Sequence, residues 1–526
     1  MTKFIGIDLG TTFSAVARLN DLGKPEVLEE PISNKKITAS VLYIKKDSSF
    51  VVGDEAKKML AVDQNNIVLE VKKKIHEECV WSIKEGKWIE KNTGDAKITN
   101  GEFTPVQITA QILEKVAGIA GGVKKAVVTV PALFENLARE RTIEAAKVAG
   151  LELIGIIDEP VAAVLHYSKL EETKNLSGRI MVFDLGGGTF DVTIANVVSS
   201  EQIIIKGSRG NRNLGGTDFD KKICHLLNDK YKKITGEYLF QEDNFHKFLN
   251  AAEQIKRVLS SQEQASDVID GPKGPQTIEI SRGEFEESIE EYLDEIKMLV
   301  EDLMEQKELK PSDIDQILLV GGSTRMPVVV DCIKKIMGKE PTKGVDVDQA
   351  VAAGAAIYAG LNLPPEDLTV SQQKVLADTK LELVCNHYLG VIAKQKNPQT
   401  GRDEDVNVIL IPKDSPLPCS KTDTLATRYD GQDGMQFSIT QSAIHAQKNI
   451  ISVVVIKETR LKLPPNLPKG EPVKITYTYD KDVVLHCEFE HEASKKKERI
   501  SLTPDNSKTV EEAQSEISDF KDFKLD

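Results

Sequence analysis

No two of the six cysteines form a C-x-x-C pair; Cys79, Cys224, Cys332, Cys385, Cys419 and Cys487 are scattered along the chain. That spacing argues against a disulfide framework and fits plain thiols in a reducing compartment. His76 and Cys79 have a spacing seen in metal sites, but no second pair accompanies them, so no zinc site is expected. Positive charge is also short: 68 Lys and Arg face 82 Asp and Glu, a net charge of −14. Such a balance disfavours nucleic acid and anionic membranes as main partners, and the local run Lys72-Lys73-Lys74 does not reverse it. The chain has no apolar run of about 18 residues, and "MTKFIGIDLG" has no charged segment followed by an apolar one. Neither a membrane helix nor a secretory signal is expected, and the expected compartment is the cytoplasm. Aromatic residues make up only 5%, yet 40% hydrophobic and 29% charged residues are an ordinary globular mixture. A length of 526 residues suggests several compact units, at roughly 150 residues per domain.

Against these absences stands a repetition. "IDLGTTFSAVA" at residues 7–17 returns in altered form as "FDLGGGTFDVTIA" at residues 183–195. Each reads as strand, glycine turn, strand, and α/β material follows each. "AVVTVPALF" is a buried strand ending at Pro131, leading into the helix "ENLARERTIEAAKVAG", which Gly150 can close. "LELIGIIDEPVAAVLHY" is a second strand and helix, and "DQILLVGGSTRMPVVVDCIKKIM" repeats the order with a Gly-Gly turn. After Pro364-Pro365, "LNLPPEDLTVSQQKVLADTKLEL" reads as a connector. Beyond it come short alternating strands such as "VNVILIP", "GMQFSITQS" and "VKITYTYD". The fold class expected is a duplicated two-lobed α/β domain followed by an all-β sandwich or barrel.

Neither hairpin matches a P-loop, and neither matches a dinucleotide fingerprint, because the glycines open into a strand. Glycine turns still let backbone N–H groups approach phosphate oxygens, and Thr11, Thr12 and Thr189 add hydroxyls. A carboxylate precedes each turn, Asp8 and Asp184, which suits Mg²⁺ held through its waters. Two such turns, with a third at Gly321-Gly322, read as jaws on one Mg-nucleotide rather than as three unrelated tight turns.

These residues resemble the 70-kilodalton heat-shock chaperones of the actin-like ATPase superfamily. "IDLGTTFSAVA" and "FDLGGGTFDVTIA" are similar to that family's phosphate motifs, "ILLVGGSTRMP" to its adenosine motif, and "LGGTDFD" to a further internal motif. The resemblance implies ATP or ADP with Mg²⁺ between duplicated ribonuclease H-like lobes. It implies a nucleotide-binding domain at residues 1–378, a linker at 379–384, a β-sandwich substrate domain at 385–503 and a short tail or helix at 504–526.

By the same resemblance, Asp8 and Asp184 would hold the waters of Mg²⁺, while Gly10, Thr11, Thr12, Phe13, Gly186, Gly187, Gly188, Thr189, Gly215 and Gly216 would cradle phosphate. Lys72 falls where the family places the lysine that positions the attacking water, with Lys73 as the alternative. Glu159, Asp191 and Thr189 complete the catalytic set. Glu253, Lys256, Arg257 and Ser260 share one helical face, and with Gly321, Gly322, Ser323, Arg325 and Asp348 they would contact the nucleoside. Arg257 and Arg325 would stack the base.

The implied activity is slow, Mg-dependent hydrolysis of ATP to ADP and phosphate, coupled to binding of unfolded or extended hydrophobic polypeptide. J-domain co-chaperones and nucleotide exchange factors are possible partners, and a role in the stress response follows from the family. Departures stand out in the linker, in the arch region and at the C-terminal end. Glu382 puts a charge in a linker that is usually aliphatic, "AKQKNPQTGRDED" replaces the arch over the bound peptide, and Arg428 stands where a small residue is usual. Only a short tail follows Thr503, too little for a helical lid. Val391, Leu425, Met435 and Phe437 are the candidate peptide surface, although Met435 and Phe437 could equally fill the sandwich core. The rival reading is a nucleotide-gated scaffold that binds one folded partner through the β domain; a small-molecule kinase is a distant third.

Overall fold

The two repeated phrases become the central hairpins of two sheets built to one plan. The computed structural model describes residues 3–502 except 46–48, 92–100, 171–176, 200–201, 242–244, 343–345, 378, 397–400, 443–444, 446–449, 451–452 and 481–483. In the first lobe, strand Phe4–Asp8 pairs antiparallel with Phe13–Leu19 and parallel with Lys125–Val130, which Glu152–Asp158 extends. In the second lobe, Gly178–Leu185 pairs antiparallel with Phe190–Ser199 and parallel with Gln316–Val320, and Gln202–Asn211 continues the other side. The registers correspond: Asp8 lies opposite Ala15, and Asp184 opposite Asp191. The duplicated α/β reading is thereby borne out.

Two apolar helices fill the space between the sheets. Every residue of Glu159–Tyr167 is buried, and Ala350–Leu361 is buried from Ala350 to Gly360. A helix apolar on all sides belongs in a core. Their approach is as close as backbones allow, since a Cβ at Gly354 would stand 1.7 Å from the Ala162 carbonyl oxygen. The helix Asn136–Val148 stops as expected, with Gly150 at φ +75° just beyond it.

The segment after Pro364 is more than a connector. The Thr369 hydroxyl accepts from the Gln372 N–H at 3.2 Å, and the Gln372 side chain accepts from the Thr369 N–H at 2.9 Å. This capping box starts a helix, Val370–Leu376. Gln372 Nε2 then donates to the Leu19 and Asn20 carbonyls, tying the helix to the first lobe. Lys380–Glu382 follows as a parallel strand on the edge of the second sheet, with Leu381 opposite Ile203. Strand alternation resolves the matter of Glu382. Leu381 and Leu383 pack on the central apolar cluster, whereas Glu382 is exposed and accepts from Gln202 Nε2 at 3.0 Å. Its charge stays outside the core.

The all-β part stacks two four-stranded antiparallel sheets. One runs Asp403–Ile411, Tyr388–Lys396, Gly434–Ser442, Val454–Lys462; the other runs Cys419–Ala426, Pro472–Tyr479, Leu485–His491, Lys496–Leu502. Phe437 and Phe489 stack at 4.2 Å between them. Cross-contacts join this part to the lobes: Asn386 Nδ2 donates to Asp158 at 2.7 Å, Gln441 accepts from the Asn136 N–H at 3.0 Å, and Lys307 pairs with Asp414 at 2.5 Å. The tail expected at 504–526 lies outside the described residues, as does the centre of the replaced arch loop.

Candidate active site

The two glycine turns meet at the floor of a cleft of about 400 Å³ between the lobes. Their contact leaves no room for a side chain at Gly187, where a Cβ would lie 1.7 Å from Thr12 Oγ1, and the first turn is itself tight, since a Cβ at Gly10 would lie 1.9 Å from the Phe13 carbonyl oxygen. The second turn is braced from behind by N–H groups of Gly216 and Thr217, which donate to the Gly186 and Gly187 carbonyls at 3.0 and 2.7 Å. Ser323 Oγ adds a bond to the Gly186 carbonyl at 2.9 Å. Bracing of this kind spends the turn's carbonyls on protein and fixes its shape.

Carboxylates crowd the floor. Asp8, Glu159 and Asp184 line the cleft, with Asp191 buried just behind. Lys72 is the cation among them, and its ammonium pairs with Glu159 where both side chains are under 10% exposed. Burial, followed by the charge of Glu159, pushes Asp8 up to about 7, while Lys72 and a 3.1 Å hydrogen bond from Thr129 oppose the rise. Burial and then Glu159 also hold Asp184 and Asp191 well above the usual carboxylate range. Lys73, the alternative, turns away from this group to Glu70 at 2.9 Å and Asp218 at 3.4 Å.

This donor set fits a metal-bound polyphosphate. So many carboxylates around one ammonium would repel bare phosphates, and a divalent cation reverses that sign. Among the described residues no three acidic, His or Cys groups converge closely enough to chelate an ion by themselves. Thr12 Oγ1 is buried without a partner beside the turn, a donor that phosphate oxygen would satisfy.

The nucleoside end is more open. Glu253, Lys256, Arg257 and Ser260 line it from the helix Leu249–Leu259 and its cap, opposite Gly321, Gly322, Ser323, Arg325 and Asp348. Arg257 pairs with Glu253 at 2.8 Å and lies 5.5 Å from the Phe13 ring; Arg325 pairs with Asp346 and Asp348 at 2.8 and 2.9 Å. Of the phosphate residues inferred from sequence, Gly188 and Gly215 do not line the cleft. They pack directly behind it, where a Cβ at Gly215 would come within 2.5 Å of the Gly188 nitrogen.

Several site residues escaped the sequence reading. Lys57 pairs with Glu253 across the cleft and sits 4.8 Å over Phe13. Burial works to raise Glu253, but Lys57 and Arg257 outweigh it and hold the carboxyl low. Nothing in "DEAKK" separates Lys57 from a solvated helix lysine. Asp220, pushed up to about 6 by burial against the pull of Lys256 at 2.8 Å, did stand within the quoted "LGGTDFD".

In the sandwich, Val391 and Phe437 are fully buried core residues, while Leu425 and Met435 are half-buried at its margin. Arg428 pairs with Asp403, so polar groups meet where the arch was expected.

The family described as "Hsp70 protein" matches residues 4–525. The chain is 33% identical over 544 residues to heat shock 70 kDa protein 7, chloroplastic, of Arabidopsis thaliana, covering 99% of this chain and 72% of that one. It is 32% identical over 544 residues to the stromal 70 kDa heat shock-related protein, chloroplastic, of Pisum sativum, covering 99% and 73%. It is also 32% identical over 536 residues to chaperone protein DnaK of Thermosipho africanus (strain TCF52B), covering 99% and 83%. These relatives overturn the cytoplasmic expectation, since those of Arabidopsis and Pisum are chloroplast proteins. An N-terminus that runs straight into a strand carries no signal of compartment.

Proposed function

The chain belongs to the Hsp70 family, whose members are ATP-dependent chaperones and ATPases, and from that membership we propose slow Mg-dependent hydrolysis of ATP coupled to peptide capture by the sandwich. The observation that carries this reading is the buried Lys72–Glu159 pair set among Asp8, Asp184 and Asp191 where the two glycine turns meet. Mg²⁺, when bound, offsets the polyphosphate charge and polarises its terminal group. Asp8 and Asp184 would hold its waters, and Thr11, Thr12, Gly187 and Thr189 donate to phosphate oxygens. Lys72 positions a water whose oxygen attacks the terminal phosphorus as the bond to the bridging oxygen breaks. Of Glu159 and Asp191, one accepts the water's single proton and the other orients the water. Arg257 and Arg325 flank the base.

The proposed division is a nucleotide-binding domain at 1–378, a linker at 379–384 and a substrate domain at 385–503. The linker lies as a strand on the second lobe, the arrangement in which nucleotide state and sandwich can affect each other. Unfolded polypeptide, a J-domain protein and an exchange factor are the proposed partners.

The test is steady-state ATP turnover with Mg²⁺, with and without a hydrophobic heptapeptide. Turnover that rises with peptide and disappears in Lys72→Ala supports the reading. The Arg428–Asp403 pair and the buried Val391 and Phe437 favour the rival, a scaffold for one folded partner. Turnover indifferent to peptide would move that rival ahead.

A further inference from the structure

A second cavity of about 360 Å³ lies behind the phosphate end of the cleft. It shares Thr11, Lys72 and Thr189 with the nucleotide cavity, so the two spaces meet where the terminal phosphate is placed. Thr11 and Lys73 pack closely on Gly188, where a Cβ would stand 2.5 Å from Thr11 Cγ2 and 2.6 Å from Lys73 Cε.

The walls of this rear cavity suit an anion in transit. Lys73 comes from the first lobe and Arg212 and Lys221 from the second. Arg212 Nη2 pairs with Glu135 at 3.3 Å, but its Nη1 is buried and has no hydrogen-bond partner. A desolvated guanidinium donor without an acceptor is costly, and a passing phosphate oxygen would satisfy it. Asp218 and Glu70 are already engaged: across the lobes Asp218 takes Lys73 at 3.4 Å and Glu70 takes the Thr217 hydroxyl at 2.5 Å, while within each lobe Asp218 takes Lys221 and Glu70 takes Lys73, both at 2.9 Å.

We propose that inorganic phosphate leaves through this rear cavity, past Lys73 and Arg212, while ADP remains in the cleft. The proposal rests on the ATPase reading above. Its consequence is mechanical. A phosphate beside Lys73 and Lys221 competes with Asp218 and Glu70 for them, so its passage loosens the ion pairs that hold the lobes together at the back.

The test uses the full-length protein in a single turnover of ATP. Quenched samples report cleavage, a fluorescent phosphate-binding protein reports phosphate release, and a labelled nucleotide reports ADP release. Asn213→Trp places a bulky ring at an exposed position of the rear wall, and Arg212→Gln removes the unsatisfied donor. In Asn213→Trp, phosphate release is expected to slow several-fold with cleavage and ADP release unchanged. In Arg212→Gln, the affinity of added inorganic phosphate for the ADP-bound protein is expected to fall about tenfold, the loss of one charge-assisted hydrogen bond. Phosphate release untouched by both variants, or phosphate appearing only together with ADP, would overturn the rear exit. Absence of cleavage in the quenched wild-type samples would instead sink the ATPase reading itself.

Discussion

Asn386 of the sandwich donates to the carboxylate of Asp158, the residue directly before Glu159 in the cleft, and Arg139 holds that carboxylate's other oxygen at 2.6 Å. One side chain therefore connects the β part to the strand end that presents the buried acid. Asn386 Nδ2 also reaches the Ala132 carbonyl at 2.9 Å. Replacing it with alanine removes both contacts without touching the cleft. Asn386→Ala is expected to leave basal turnover within about twofold, as for a surface polar truncation, and to abolish any response to peptide. Turnover measured at saturating peptide checks this, and an undiminished response would refute the connection.

Lys72 and Lys73 are neighbours with different tasks. Lys72→Ala strips the buried Glu159 of its cation, a change worth about 3–5 kcal/mol when a buried pair is broken one-sidedly. Loss of cleavage together with a lowered Tm is expected. Lys73→Ala leaves Glu70 and Asp218 with Lys221 and Thr217 as partners. Its cleavage step in quenched single turnovers is expected to survive, and equal damage from both substitutions would contradict the division.

The repeated phrases made the lobes legible, because a buried strand, a glycine turn and a carboxylate leave marks within a dozen residues. The same locality explains the agreement at Gly150 and along the face Glu253, Lys256, Arg257, Ser260. What escaped was set by distant partners. Lys57 becomes a site residue only because the second lobe brings Glu253 to it. The helix after Pro364 did have a local signal, the Thr369 and Gln372 capping box, and was read as connector because prolines and polar residues dominate that stretch. Glu382 shows the opposite error, in which a charge counted as disruptive falls on the solvent side of a strand. In the sandwich, alternation shows that Met435 and Phe437 share a face, but not how deep each sits.

That depth is testable. Phe437 is fully buried against Phe489, so Phe437→Ala is expected to cost about 3–5 kcal/mol, the range for emptying a buried aromatic site. Met435 is half-buried at the margin. Met435→Ala is expected to shift Tm little while weakening hydrophobic peptide binding, read by fluorescence anisotropy of a labelled heptapeptide. Peptide affinity unchanged in Met435→Ala would remove this edge from the candidate surface.

Docking of the sandwich on the lobes carries its own pH dependence. His387 is buried at the contact, and burial, followed by the nearby Arg139, Lys413 and Arg212, holds its imidazole well below its ordinary value. In the undocked form it titrates near about 6.5. Below that pH the undocked form binds a proton that the docked form refuses, so docking weakens as pH falls through the ordinary histidine range. Lys413, buried beside Arg209 with its ammonium donating to the Ser208 carbonyl at 3.2 Å, is lowered to about 8, chiefly by burial. Between about 8 and its ordinary 10.5 the docked lysine is neutral and the undocked one is charged, so docking strengthens as pH rises across that window. The two groups act in the same direction at opposite ends of the scale. Energy transfer between dyes on the sandwich and the second lobe should therefore be lower at pH 5.5 than at pH 7.5 and higher at pH 9. His387→Gln removes the acid arm alone, and an acid arm that persists in this variant would assign it to another group.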